Sequence, residues 1–288
     1  MSATTATLRA AVADGIANRN SFWFQVSLMV ANDVTWVIFW VLFFNKVGTL
    51  RGWGTQDVIV LFCVLLTTAG VALGVFANSR RIGHLASDGA LDETLVLPVQ
   101  PLAHILTSRI DAANCGDLLF GPVLFVVAGH PTPERTAVFL LGSITGSITL
   151  VGFLVACGAL TLFVGGRGEQ ADLGFSAILI FASYPLDLFG GVTKVLLFTA
   201  VPAAFVTGLP SRLVHSFDPA SALLVVVVAA VFALLGWGLF QLGLRRYSSG
   251  SVWTRYPSGA PRCARQSPSA LPQVHTVCRS ACSLSRPG

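Results

Sequence analysis

Asp33 stands in the middle of the apolar run "LMVANDVTWVIFW", next to Asn32, and Asp117 is equally deep in a later run, with Arg109 and Asp111 nearer one end of it. A charge at the centre of a bilayer costs about 2.5 to 3.5 kcal/mol, so such a group faces a partner or a wet cavity, or is protonated. Two readings fit these five residues. One is a polar pathway that attracts a cationic or amphipathic substrate; the other is structural, with Asp111 or Asp117 paired with Arg109 across a helix contact. No catalytic pattern accompanies them. A GxxxxGK[ST] stretch is absent, so no nucleotide phosphate is cradled by that route, and HExxH is absent too. His84, His104, His130, His215 and His275 are scattered, and "GGRGEQ" (165–170) follows an apolar run instead of a strand, which makes it a tight turn. Neither a catalytic residue nor a metal site is assigned. Cys63, Cys115 and Cys157 fall in apolar runs, where packing is the default, while Cys263, Cys278 and Cys282 match no zinc spacing.

The elements that must position these residues are membrane spans. The chain is 54% hydrophobic and 11% charged over 288 residues, which excludes a soluble domain and predicts an all-α integral membrane protein. A span takes about 20 apolar residues, and six runs approach that: 22–44, 58–76, 102–127, 137–164, 173–189 and 222–244. Hydrophobicity continues past the fifth through "GGVTKVLLFTAVPAAFVTGLP", where a glycine pair, Lys194 and Pro202 interrupt any straight helix, so this part reads as broken and re-entrant. Residues 5–20 read as an amphipathic helix on the membrane surface. Residues 1–248 form the membrane domain and residues 249–288 a disordered Ser/Pro-rich tail, whose five arginines without an acid account for the net charge of +5.

Lys and Arg near the span ends set the orientation. Arg80-Arg81 and Arg245-Arg246 close the second and sixth spans, which an even number of crossings places on one side, so both termini are expected in the cytoplasm.

Between the second and third runs lies "RRIGHLASDGALDETLVLPVQP", residues 80–101. With Ser87 or Asp88 as a cap, Asp88 and Asp92 lie four apart on one helical stripe and Leu91 and Leu95 four apart on another. Such a two-faced helix either docks a soluble partner in a groove or lies idle on the membrane surface.

Six spans, an N-terminal amphipathic helix, a first loop of the "DGALDETLVLPVQPL" kind with "RIDAANCGDLLFGP" downstream, and "SYPLDLF" followed by "AVPAAFVTGLP" resemble the permease subunits of type 2 ATP-binding-cassette (ABC) exporters. The resemblance covers residues 5–250 and implies a coupling helix seated on a separate ATPase, with Leu91, Asp92, Glu93 and Leu95, beside Asp88, in that contact. It also implies two ATPase copies that use ATP, a second permease identical or homologous to this one, and a multi-pass location in the inner (plasma) membrane. This chain itself would bind no cofactor, contact no nucleic acid and catalyse no bond chemistry. The substrate expected for such efflux is amphipathic or drug-like. Two alternatives stand beside this reading: an integral-membrane enzyme with interfacial Asp and His residues, recognisable by titratable side chains converging in one cavity, and a non-transporting scaffold that lacks a central pathway.

Overall fold

In hydrocarbon every backbone N–H and C=O must be satisfied within the chain, so long apolar runs fold as helices. The structure, a computed structural model, describes residues 3–165 and 168–247, and no strand occurs among them. The tail from 249 onward, with its three cysteines and His275, lies outside the described residues, as does Arg167. The element order is α1 (Ala3–Ile16), α2 (Arg19–Val47), α3 (Thr55–Ala69) continued by a π-helical turn (Gly70–Val75), α4 (Ile82–Ser87), α5 (Leu91–Leu95), α6 (Pro101–Thr107), α7 (Ala112–Ala128), α8 (Pro133–Val164), α9 (Glu169–Ala182), α10 (Gly191–Thr199), α11 (Leu209–His215) and α12 (Pro219–Leu244). Four helical stretches are long and apolar enough to cross a membrane, or up to six if each of two bent pairs is one span. The protein is an all-α integral membrane protein.

Local chemistry sets where the long helices begin. The side chains of Asn18, Thr132 and Asp218 accept hydrogen bonds from the first free N–H groups of α2, α8 and α12, and Pro133 and Pro219 follow two of these caps where no N–H is needed.

Contacts between the connecting segments sort them into two ends of the bundle. At the near end Arg80 and His84 meet Asp172 at 2.8 and 2.9 Å, Thr7 meets His104 at 3.3 Å, and the Tyr247 hydroxyl donates to the Ala86 carbonyl at 3.3 Å. At the far end Arg51, Trp53, Lys194 and Arg212 all reach Asp187, and His215 lies 3.4 Å from Asp57. Between these ends the chain runs six times, along α2, α3, α7, α8, α9 and α12, of which α9 is shorter than the four apolar spans.

Two crossings differ from expectation. The third is not one helix over 102–127: α6 and α7 meet at 79°. The Asn78 amide donates to the Ile105 carbonyl and to Ser108 Oγ, which closes α6, and Asp111 then caps α7 afresh by accepting from the N–H groups of Ala113 and Asn114. Arg109 and Asp111 therefore sit in the break, Arg109 exposed, instead of inside a span. The fifth crossing is shorter than 173–189, because α9 stops at Ala182 and gives way to a 3₁₀ turn over Leu186–Leu188. Fourteen helical residues rise roughly 21 Å, short of a hydrocarbon core of about 30 Å. The hydrophobic stretch after it forms two arms bent by 77°, with Lys194 and His215 both at the far end, which makes it re-entrant.

Small residues decide the packing of the centre. A Cβ on Gly70 would overlap the backbone of Leu118 in α7, and one on Gly146 would lie 2.6 Å from the Val206 carbonyl oxygen in the π turn that precedes α11. Both GxxxG pairs, Gly70/Gly74 and Gly142/Gly146, thus serve helix contacts within this chain. The result is a buried α3, with 83% of its most apolar stretch inside the protein, whereas α2 has only 17% inside and leaves Trp23, Phe24, Trp36 and Phe39 exposed.

Candidate functional site

Of the five intramembrane candidates, the fold brings together Asn32, Asp33 and Asp117. Asp33 on α2 and Asp117 on α7 are 3% and 2% exposed, and their carboxyls face each other within hydrogen-bonding reach. Asn32 donates its amide N–H to Asp33 Oδ1 at 3.5 Å. Asp33 Oδ2 and Asp117 Oδ1 find no N–H or O–H donor. An ionised carboxylate only accepts, so a hydrogen bond between the two requires a proton on one of them. Asp117 therefore pairs with Asp33 and not with Arg109, and neither acid forms an ion pair among the described residues.

Arg109 and Asp111 go to the near end, where they line a cavity of about 490 Å³ together with Arg80, Arg81, His84, Asp88, Asn114, Asp172 and Phe175. Arg80 donates to Asp172 Oδ1 and lies 4.3 Å from the centre of the Phe175 ring. Asp172 precedes the apolar run that starts at Leu173 and so lies outside the span. The hydrogen bond from Arg80, and after it that from His84, hold its carboxyl below the ordinary value of 3.8 against the opposing effect of burial.

The segment 80–101 departs from a single two-faced helix. Gly89, in the left-handed region at φ 77°, separates α4 from α5, so Asp88 stands before the break and Asp92 and Glu93 after it. Leu91 is 0% exposed, packed with Ile82, Ala86, Ile105 and Phe240. Leu95 is 40% exposed, Val96 83% and Leu97 44%. The apolar stripe is split: Leu91 is buried in the segment's contact with α4 and α6, and the free apolar surface is the tip formed by Leu95, Val96 and Leu97. The physical reason is helix length, since five residues make little more than one turn and cannot carry a stripe along one face.

At the far end lies a cluster that sequence reasoning missed. Asp187 Oδ2 accepts from Trp53 Nε1 at 2.8 Å and from Arg212, Oδ1 lies 3.5 Å from Lys194 Nζ, and the Asp187 carbonyl accepts from Arg51 at 2.8 Å. One residue thereby ties together the α2–α3 loop, α10 and α11. The available signal was charge: Arg51, Lys194 and Arg212 fall on one predicted side, and "SYPLDLF" offers them an acid. Beside this cluster an aromatic groove of about 540 Å³ opens between α2 and the end of α9, lined by Trp36, Phe39, Trp40, Phe43 and Tyr184.

A buried, small-residue-packed bundle with a segment projecting from one end and a re-entrant pair at the other is matched by a family model described as ABC-2 family transporter protein, over residues 30–251. The chain belongs to that family. No curated protein and no solved structure matches it. As an ABC-2 permease, the chain is the membrane subunit of an ABC transporter, and such a subunit works with an ATPase. The match begins within α2 and ends just past α12, so it covers all six crossings except the start of the first. Among the described residues no three His, Cys, Asp or Glu side chains gather as metal ligands. His84, His104 and His215 contact Asp172, Thr7 and Asp57 at separate places and do not converge in one cavity.

Proposed function

We propose that this ABC-2 permease exports an amphipathic, drug-like substrate across the cytoplasmic membrane, paired with a second permease, identical or homologous, and driven by two copies of a separate ATPase. The near end, with both termini, faces the cytoplasm in this reading, in keeping with Arg80, Arg81, Arg245 and Arg246 there. The observation that carries it is the exposed tip Leu95–Val96–Leu97, an apolar surface projecting among polar residues at the end where an ATPase has to dock. Force applied to the tip reaches the bundle by two routes. Leu91 is buried in one apolar cluster with Ile105 and Phe240 and its helix packs on α4 and α6, and Asp172 links the 80–88 segment to α9 through Arg80 and His84. ATP-driven closure of the ATPase pair thus shifts the near end and biases the permease between inward and outward access.

Export follows from the family resemblance, and the substrate class from the aromatic groove beside α2, whose rings offer area to an apolar or cationic ring system. The second permease is assigned to the outward face of α2, where Trp36, Phe39 and Leu42 are 43%, 49% and 60% exposed.

The test is Leu95→Asp with Val96→Asp. Each apolar side chain buried on docking contributes roughly 1.5 to 3 kcal/mol, so the double variant should bind the ATPase at least about tenfold more weakly while inserting and melting as the parent does. Co-purification and substrate-stimulated ATP hydrolysis read this out. Normal association would sink the docking assignment. Leu91→Asp behaves differently, because it places a charge in the core and should abolish recovery of folded protein.

A further inference from the structure

The near-end cavity of about 490 Å³ has a charge pattern that ATPase docking does not use. Its walls come from the 80–88 segment, the break between α6 and α7, and the start of α9. Four of its titratable side chains are already engaged. Arg80 and Asp172 form an ion pair at 2.8 Å, with His84 on the other carboxylate oxygen, and Asp111 is turned onto the N–H groups of Ala113 and Asn114. Arg81 and Arg109 are left over. Neither guanidinium has a hydrogen bond, an ion pair or an aromatic partner among the described residues. Two guanidinium forks lining one concave space suit tetrahedral phosphate oxygens, which accept parallel N–H bonds from arginine. Asp88, exposed and also without an ion-pair partner, lines the same cavity and opposes an anion there.

We infer that Arg81 and Arg109 bind the phosphate of an anionic ligand, a phospholipid headgroup or a soluble phosphate, in the cavity between the 80–88 segment and α7. The position at the end of the spans, level with the cap of α7, suits a headgroup whose acyl chains run along the bundle. A phosphate held there bridges the 80–88 segment to the α6–α7 break, two segments with few other polar ties beyond Asn78. The inference concerns binding and holds whether or not the tip docks an ATPase.

The experiment uses the purified full-length chain. Phosphatidylglycerol is titrated in a phosphatidylcholine background and bound lipid is counted by native mass spectrometry, and inorganic phosphate is titrated separately by calorimetry. Each basic residue near an anionic headgroup strengthens binding several-fold, so Arg81→Gln with Arg109→Gln should weaken binding of the phosphate-bearing probe by at least about tenfold. Asp88→Asn should tighten it by about twofold to fivefold. Arg245→Gln with Arg246→Gln, a pair at the same end that does not line the cavity, should leave it unchanged. Binding of phosphatidylglycerol that phosphate fails to compete identifies a lipid headgroup, and binding of phosphate alone identifies a soluble ligand. Should the double Gln variant be lost to misfolding, the single variants replace it, each expected to weaken binding about threefold. Equal binding by the cavity variants and the parent, an equal loss in the Arg245/Arg246 pair, or binding of neither probe overturns the assignment.

Discussion

Asp172 and Asp187 stand at opposite ends of the same short crossing, and they do different work. Asp172 is 39% exposed and holds two side chains of one neighbouring segment, Arg80 and His84. Asp187 is 25% exposed and collects donors from three segments: Trp53, Lys194 and Arg212 on its carboxylate and Arg51 on its carbonyl. An exposed pair is weakened by water and salt, whereas a half-buried carboxylate with several donors leaves each of them stranded when it is removed. The near end is thus joined by an exposed link to one segment, and the far end by a half-buried knot of donors from three segments.

The comparison is tested hardest at the knot. Asp187→Ala strands the Trp53 indole N–H and two cations while sparing the Arg51 contact to the main chain, and should cost roughly 2 to 3 kcal/mol, seen as a fall of several degrees in thermal melting of the purified protein. A variant that melts with the parent would show that the far end is held by packing alone. Trp53→Phe keeps the ring beneath Arg212 and removes one donor, so its cost should be about 1 kcal/mol. A loss equal to that of Asp187→Ala would place the knot's strength in the indole. At the near end Asp172→Asn should cost less than about 1 kcal/mol, a difference that shrinks further in high salt.

The smallest effect expected is that of pH on the near-end link. Because Arg80 and His84 hold the Asp172 carboxyl below 3.8, its contribution to stability is complete above that value and is lost as pH falls through the lowered one. Melting of the parent and of Asp172→Asn should therefore run parallel between about pH 5 and pH 8 and converge only in acid, which pH-dependent melting curves would check. Convergence near neutrality would mean that another group governs the link.

Much of the architecture was legible in the sequence because the bilayer imposes it residue by residue. Run length decided the first, second, fourth and sixth crossings, and the glycine pair with Pro202 foretold the re-entrant arms. The third run misled because apolar content is blind to direction: Leu102 and Leu106 are as greasy as a span, yet Asn78 bonds across to Ile105 and Ser108 and turns α6 aside.

What the sequence determined by itself was therefore everything that depends on composition over one helix length: the all-helical membrane fold, the placement of the arginine pairs and the broken stretch; the family came instead from the resemblance of particular segments such as "DGALDETLVLPVQPL". What only the tertiary structure decided were relations between residues far apart in the chain. Leu91 and Leu95 are alike in the sequence, but one joins the buried cluster of Ile82, Ile105 and Phe240 while the other is 40% exposed. Asp33 was a lone acid until α2 met α7 at Asp117, and Asp187 was one loop acid among several until Trp53 and Arg212 closed on it. Such contacts are selected by how helices cross, and the crossing is set by the fit of small residues such as Gly70 and Gly146 against a neighbouring backbone, which no single run of the chain contains.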